Sequence, residues 1–194
     1  MPRAAILFVR AIDGLNYRIG RGAMYILLIL MGILAWSAIS TSLRQPSPWT
    51  LEMAQFTMVA YYVLGGPYAM QMGDQVRMDL FYASWTPRRR AMTDAITALC
   101  LFIYLGVMAW GAVESLSYSL GLRWPAADAP GGFLGLHWPS IGRLERSPTA
   151  WRPYLWPIKT ILFLGFVLMF LQTLAFLIRD IAVLRGKPIP ERAV

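Results

Sequence analysis

With 194 residues that are 57% hydrophobic and 14% charged, and a mean hydropathy of +0.50, the chain falls in the membrane class and has no separate soluble domain. Its formal charge of +8 sits on lysines and arginines that flank apolar runs instead of forming one stripe, which favours anionic lipid headgroups over nucleic acid as counter-charge. One cysteine, Cys100, excludes an intrachain disulfide, and a single histidine, His137, excludes a haem gripped by two histidines of this chain.

The expected architecture is an all-α integral membrane protein with four transmembrane helices. Residues 1 to 21 carry Arg3, Arg10, Arg18 and Arg21. At 100° per residue, Phe8, Ile12, Leu15 and Ile19 line one face, and Arg10, Asp13, Tyr17 and Arg21 the other, so an interfacial helix is expected over about 4–20. A first span follows over about 22–43. That run is too long for the apolar core of a secretory leader, so it is expected to be retained.

Arg44-Gln45-Pro46-Ser47-Pro48 makes a turn, because its prolines cannot continue a helix. The second span, about 49–72, opens with Trp49, and Glu52 is its only ionisable side chain. Gly65-Gly66-Pro67 in its middle removes a backbone donor and two side chains, which predicts a kink or a close helix contact. Beyond it, residues 73–86 thread Asp74, Arg77 and Asp79 among Val76, Met78, Leu80, Phe81, Tyr82 and Trp85, an amphipathic stretch suited to the membrane surface.

Thr86-Pro87 has the form of an N-cap followed by proline at the first helical position. The third span, about 90–120, follows from Arg88, Arg89 and Arg90 and is expected to end at Gly121. The connection over 121–156 holds Trp124, Trp138, Trp151 and Trp156 with five prolines, a composition that predicts an irregular folded-over loop. The fourth span, about 157–178, leads into a basic tail. Of the 18 lysines and arginines, twelve fall on the side of the two termini and the 73–90 connection, and six on the other. The positive-inside rule then places both termini in the cytoplasm and the 121–156 loop in the periplasm.

Glu52, Glu114 and Lys159 all lie near the outer ends of their helices, where Lys159 is expected to pair with one or both carboxylates. A proton or cation site is the functional reading of this trio. A structural tie is favoured, because each residue lies within about two turns of water and can snorkel or pair. Arg77, Asp79 and Arg88 to Arg90 suit lipid headgroups or another subunit, with a solvated, positive-inside loop as the plainer reading. His137 stands alone in a loop, and lone loop histidines ordinarily neither ligate nor catalyse. No phosphate cradle, CxxC pair or Ser/His/Asp arrangement is present, so neither catalysis nor a cofactor is expected.

Taken in order, these residues resemble the small membrane subunit of tripartite ATP-independent periplasmic (TRAP) transporters, the DctQ-like family. The resemblance rests on Trp49 with Glu52, on Gly65, on Gly73 through Asp79 with Val76-Arg77-Met78-Asp79, on Glu114-Ser115, and on Trp156-Pro157-Ile158-Lys159-Thr160 followed by Gly165-Phe166 and Gln172. It covers nearly the whole chain. Gln75 stands where the family commonly has histidine, and residues 121–150 read as an insertion.

The resemblance implies a non-catalytic scaffold beside a large, DctM-like membrane subunit that carries substrate and sodium sites. A periplasmic substrate-binding protein delivers an organic acid to that pair. Trp124, His137, Trp138, Arg143, Arg146 and Trp151 are the candidate docking residues on the outer loop, and the inner bacterial membrane is the implied location. A quinone-binding membrane anchor of a redox enzyme is the alternative from another class. A self-contained channel would need a polar-lined pore that these helices lack.

Overall fold

Because Leu, Ile, Met and Ala dominate residues 5–39, intrahelical hydrogen bonding runs unbroken through them, and the first element of the computed structural model is a single helix, α1 (Arg3–Ser42), of 40 residues. The structure describes residues 3–72, 86–123 and 140–185. At ~1.5 Å per residue α1 is about 60 Å long, roughly twice the hydrocarbon slab. The interfacial helix expected over 4–20 and the span expected over 22–43 are thus one rod. Residues 9–23 pack it against its neighbours, since Val9, Ile12, Asp13, Asn16, Gly20 and Ala23 are all buried.

Near its end, Ser40, Thr41 and Ser42 return their hydroxyls to carbonyls three or four residues back, at 2.8–3.0 Å, which satisfies them without water. The helix stops in a two-bond C-terminal cap: Gln45 N–H donates to the Ser40 carbonyl and Arg44 N–H to that of Thr41. Arg44 takes the left-handed conformation there, at φ 57°. Six residues later the chain re-enters a helix, and Thr50 donates to the Ser47 carbonyl at 2.9 Å.

Helix α2 (Thr50–Met72) retains Pro67 in its interior. Two helices press against it at glycines. A Cβ on Gly20 of α1 would lie 2.3 Å from Tyr68 Cβ, and Gly66 faces Met169. The close contact foreseen around Gly65-Gly66-Pro67 is therefore present, with Gly66 and Pro67 carrying it while Gly65 faces open space.

Helix α3 (Pro87–Ser119) starts with Pro87 at its first position and Thr86 extended at the cap, although the Thr86 hydroxyl makes no capping hydrogen bond. It ends as foreseen before Gly121, whose φ of +60° is accessible to glycine at no steric cost. Helix α4 (Trp156–Leu184) opens with a proline in its first turn. Between them, the chain forms a short antiparallel ribbon, β1 (Leu122–Arg123) with β2 (Ser140–Ile141), and an isolated bridge joins Arg146 to Tyr154. The connection expected to be irregular thus has a small regular base.

Helices α1, α2 and α4 pack on one another, and α3 lies outside this trio against α4. The α3/α4 seam stacks Phe102 on Phe170 at 4.1 Å between ring centres and buries Leu105 and Ala112. Small and polar residues fill the centre: Ala60, Pro67, Gly165, Thr173, Ala175 and Ala182. This is how helices associate where lipid is as apolar as leucine, by close backbone approach and hydrogen bonding. Among the described residues, three helical segments are long and apolar enough to cross a membrane: Ala5–Ser42, Met92–Ser119 and Trp156–Leu184. Helix α2 is long enough, but Thr50, Glu52, Gln55, Thr57 and Gln71 dilute its apolar character.

Candidate functional site

Polar side chains collect at the two ends of the helix cluster. At the end carrying the N-terminus, residues 9, 13, 16, 20 and 23 of α1 fall within about 80° of one another on a helix turning 100° per residue. That face meets α4 at Gln172 and Arg179 and α2 at Tyr68. Asp13, expected on the solvent face, is 1% exposed, while Leu15, expected on the apolar face, is 44% exposed. The inward stripe carries short and polar groups that let the helices approach and bond, which outweighs burial of the larger leucine.

Gln172 is the hinge of this polar cluster and is wholly buried. Its Oε1 accepts from Asn16 Nδ2 at 2.6 Å, and its Nε2 donates to Asp13 Oδ1 at 3.1 Å. The second Asp13 oxygen takes an ion pair from Arg179. Two partners therefore fix the Asp13 carboxylate, both from α4 and almost two turns apart. Asn16 Oδ1, Gln71 Oε1 and Arg179 Nε are buried with no hydrogen-bond partner among the described residues.

At the other end the expected trio separates. Lys159 pairs with Glu145, Nζ to Oε2 at 2.5 Å, reaches the Ser115 carbonyl at 3.4 Å, and lies 5.7 Å from the Tyr118 ring centre. Glu52 is 5% exposed and accepts from Ser147 Oγ at 3.3 Å, while its second oxygen is buried and unpartnered among the described residues. Glu114 is exposed. The reason is angular: Glu114 shares a face with exposed Ile103, Val107 and Trp110, pointing away from α4.

Both partners that the loop supplies, Glu145 and Ser147, come from the segment just after β2. Its backbone is tied as well, since Glu145 N–H donates to the Ser119 carbonyl and Ser147 N–H to that of Pro153. Replacing Lys159 with methionine should free Glu145, at a cost of about 1 kcal/mol for a partly exposed pair. Faster amide exchange over 143–147 is the expected readout, with the helices unchanged.

Arg146 packs over the Tyr154 ring at 4.4 Å and donates to its hydroxyl. Arg143 and Arg152 are exposed beside it, and a cleft of about 950 Å³ opens among them. Trp49 and Trp151 are partly exposed, at 37% and 41%. Arg89 is exposed in the first turn of α3. Arg77, Asp79, Trp124, His137, Trp138 and the side chains of Arg88 and Arg90 lie outside the described residues.

Sequence reasoning singled out Lys159 and Glu52 but missed the partners they take, Glu145 and Ser147. It also missed the pairing of Asp13 and Asn16 with Gln172 and Arg179. Polar and small residues at 13, 16, 20 and 23 were the available signal, because that spacing in a membrane helix marks a helix-helix face.

A comparison with curated proteins found no match, and a comparison with solved structures found none either. Residues 30–183 match the family described as tripartite ATP-independent periplasmic transporters, DctQ component. That match takes in the turn at Arg44, all of α2, α3 and the α3–α4 connection, and α4 through Val183, so the chain belongs to the DctQ family of TRAP transporter small components.

Proposed function

We propose that the chain is the immobile membrane scaffold of a sodium-coupled, binding-protein-dependent transporter that imports organic acids. All four helices cross the bacterial inner membrane, with α2 as the fourth span, shielded by its contacts with α1 and α4. Both termini lie in the cytoplasm and the α3–α4 connection in the periplasm. The substrate and the driving ions are held by a large, DctM-like subunit. Exposed apolar faces of α1 and α3 are offered to that subunit and to lipid, and the outer connection helps dock the periplasmic binding protein.

One observation carries this reading beyond family membership: Asp13, Asn16, Gln172 and Arg179 bond to one another across the buried seam and so tie α1 to α4. Groups locked to one another across a packed interface resist motion, which suits a frame. A moving ion carrier instead needs ligands that can be vacated.

Co-expression with the large subunit tests the proposal. The two should co-purify, and vesicles holding the pair plus binding protein should accumulate a carboxylate solute only with an inward sodium gradient. Deleting residues 123–150 should impair uptake or binding-protein docking while the membrane pair still forms. Uptake by vesicles containing this chain alone, or a haem or quinone spectrum in the purified chain, would overturn the scaffold reading.

A further inference from the structure

The cleft between the end of α3 and the start of α4 is bordered by Glu145 and Ser147 of the second polar tie, but its arginines take no part in that tie. Arg143, Arg146 and Arg152 line it with Tyr118, Ser147 and Tyr154. Its one carboxylate, Glu145, is already neutralised by Lys159. Among the described residues none of the three arginines has an ion-pair partner. The cleft therefore presents three arginines with no ion-pair partner, while the Ser147 hydroxyl at its edge is already given to Glu52.

Its walls are built. A Cβ on Gly121 would lie 2.7 Å from the Arg143 carbonyl oxygen, so the backbones of the two segments are in direct contact. Arg152 takes a left-handed φ of 50°, a conformation that costs an arginine energy and is held by the surrounding loop.

Depth selects the ligand. The cleft lies where two apolar helices end, in a ring of half-exposed aromatics: Tyr118 at 72%, Trp151 and Tyr154 at 41% and Trp156 at 40%. Tryptophan and tyrosine at helix ends mark the headgroup level of a bilayer. Below Tyr118, the stripe Trp110, Val107 and Ile103 runs down α3, each at least 61% exposed. Glu114 is exposed on the same stripe, one turn below Tyr118, and is outnumbered by the arginines above it.

We infer that this cleft is a phospholipid site, in which Arg143, Arg146 and Arg152 hold the phosphate of an anionic lipid while its acyl chains lie along Trp110, Val107 and Ile103. The bound lipid anchors the outer connection at a fixed depth. The inference rests on the reading of α3 and α4 as membrane-crossing, and does not depend on a transport partner.

The test uses the full chain, equilibrated with mixed phosphatidylglycerol and phosphatidylcholine in neutral detergent and read by native mass spectrometry. The wild type should retain phosphatidylglycerol preferentially. The R143Q/R152Q double variant leaves the Arg146–Tyr154 contact intact and should lose about fivefold in preference per arginine removed. The corresponding double lysine variant should keep most of it. R18Q/R21Q, at the far end of the chain, should retain the preference.

Equal retention by wild type and R143Q/R152Q overturns the inference, as does an equal loss in R18Q/R21Q. Displacement of the lipid by millimolar inorganic phosphate would make this a free-anion site. Arginine-dependent capture of an acidic peptide that phosphatidylglycerol does not compete away would make it a protein-docking face. Either result also refutes the lipid assignment. A chain that keeps the lipid yet never co-purifies with a large subunit upholds the site and removes the scaffold proposal; the opposite pair of results does the reverse.

Discussion

Replacing Asp13 with alanine is expected to destabilise the chain by about 3–5 kcal/mol, the range for removing one partner of a buried ion pair. The loss does not come mainly from the contacts deleted. Interhelical hydrogen bonds in membrane proteins average only about 0.6 kcal/mol each. What costs more is the group left behind, because the Arg179 side chain is 15% exposed and its Nε already lacks a partner among the described residues. Without the carboxylate, its charge stays in a site built to neutralise it, and Gln172 Nε2 loses its acceptor.

Denaturation in mixed detergent, followed by helix content, measures the effect. The double variant Asp13→Leu with Arg179→Met should recover most of the loss, since an apolar pair of similar volume leaves no uncompensated charge. Independent, additive losses in the two single variants would show that the groups do not act as a pair.

A leucine at position 165 is expected to separate α2 from α4. A Cβ there would sit 1.9 Å from Val63 Cγ1 and 2.9 Å from the Val63 carbonyl oxygen. A rotamer change can move the first atom but not the second, which belongs to the helix backbone. The cost should reach or exceed the upper end of the about 1–3 kcal/mol typical of overpacked cores. In Gly165→Ala, trimming Val63 to alanine should restore part of the stability; in Gly165→Leu it should not. Gly32→Ala and Gly111→Ala, with nothing within 4 Å, are the controls and should leave the denaturation midpoint unchanged. If the scaffold proposal holds, loss of co-purification with a large subunit should follow the Gly165 variants and not the controls.

Together the two substitutions probe one design. The glycine contacts set how near the helices stand, and the Asp13–Gln172–Arg179 cluster sets their register along the axis. The proposed frame would need both, because sliding or splaying of its helices would absorb the force of a moving neighbour.

The apolar runs, the proline turn at 46–48 and the Thr86-Pro87 start were sufficient to place helices and turns, because each is a local effect of hydrogen bonding and backbone freedom on neighbouring residues. Family-level identity was legible for a similar reason: its motifs, from Trp49 and Glu52 to Lys159 and Gln172, are short and ordered along the chain. What the sequence could not decide was which residues meet. Asp13 and Arg179 are separated by 166 positions, and Lys159 selects Glu145 over the two carboxylates that sequence position favoured. Helical angle and packing decide those pairs. The same cause merged the expected surface helix into α1, since a polar stripe that faces a partner helix instead of water looks, residue by residue, like the wet side of an amphipathic one.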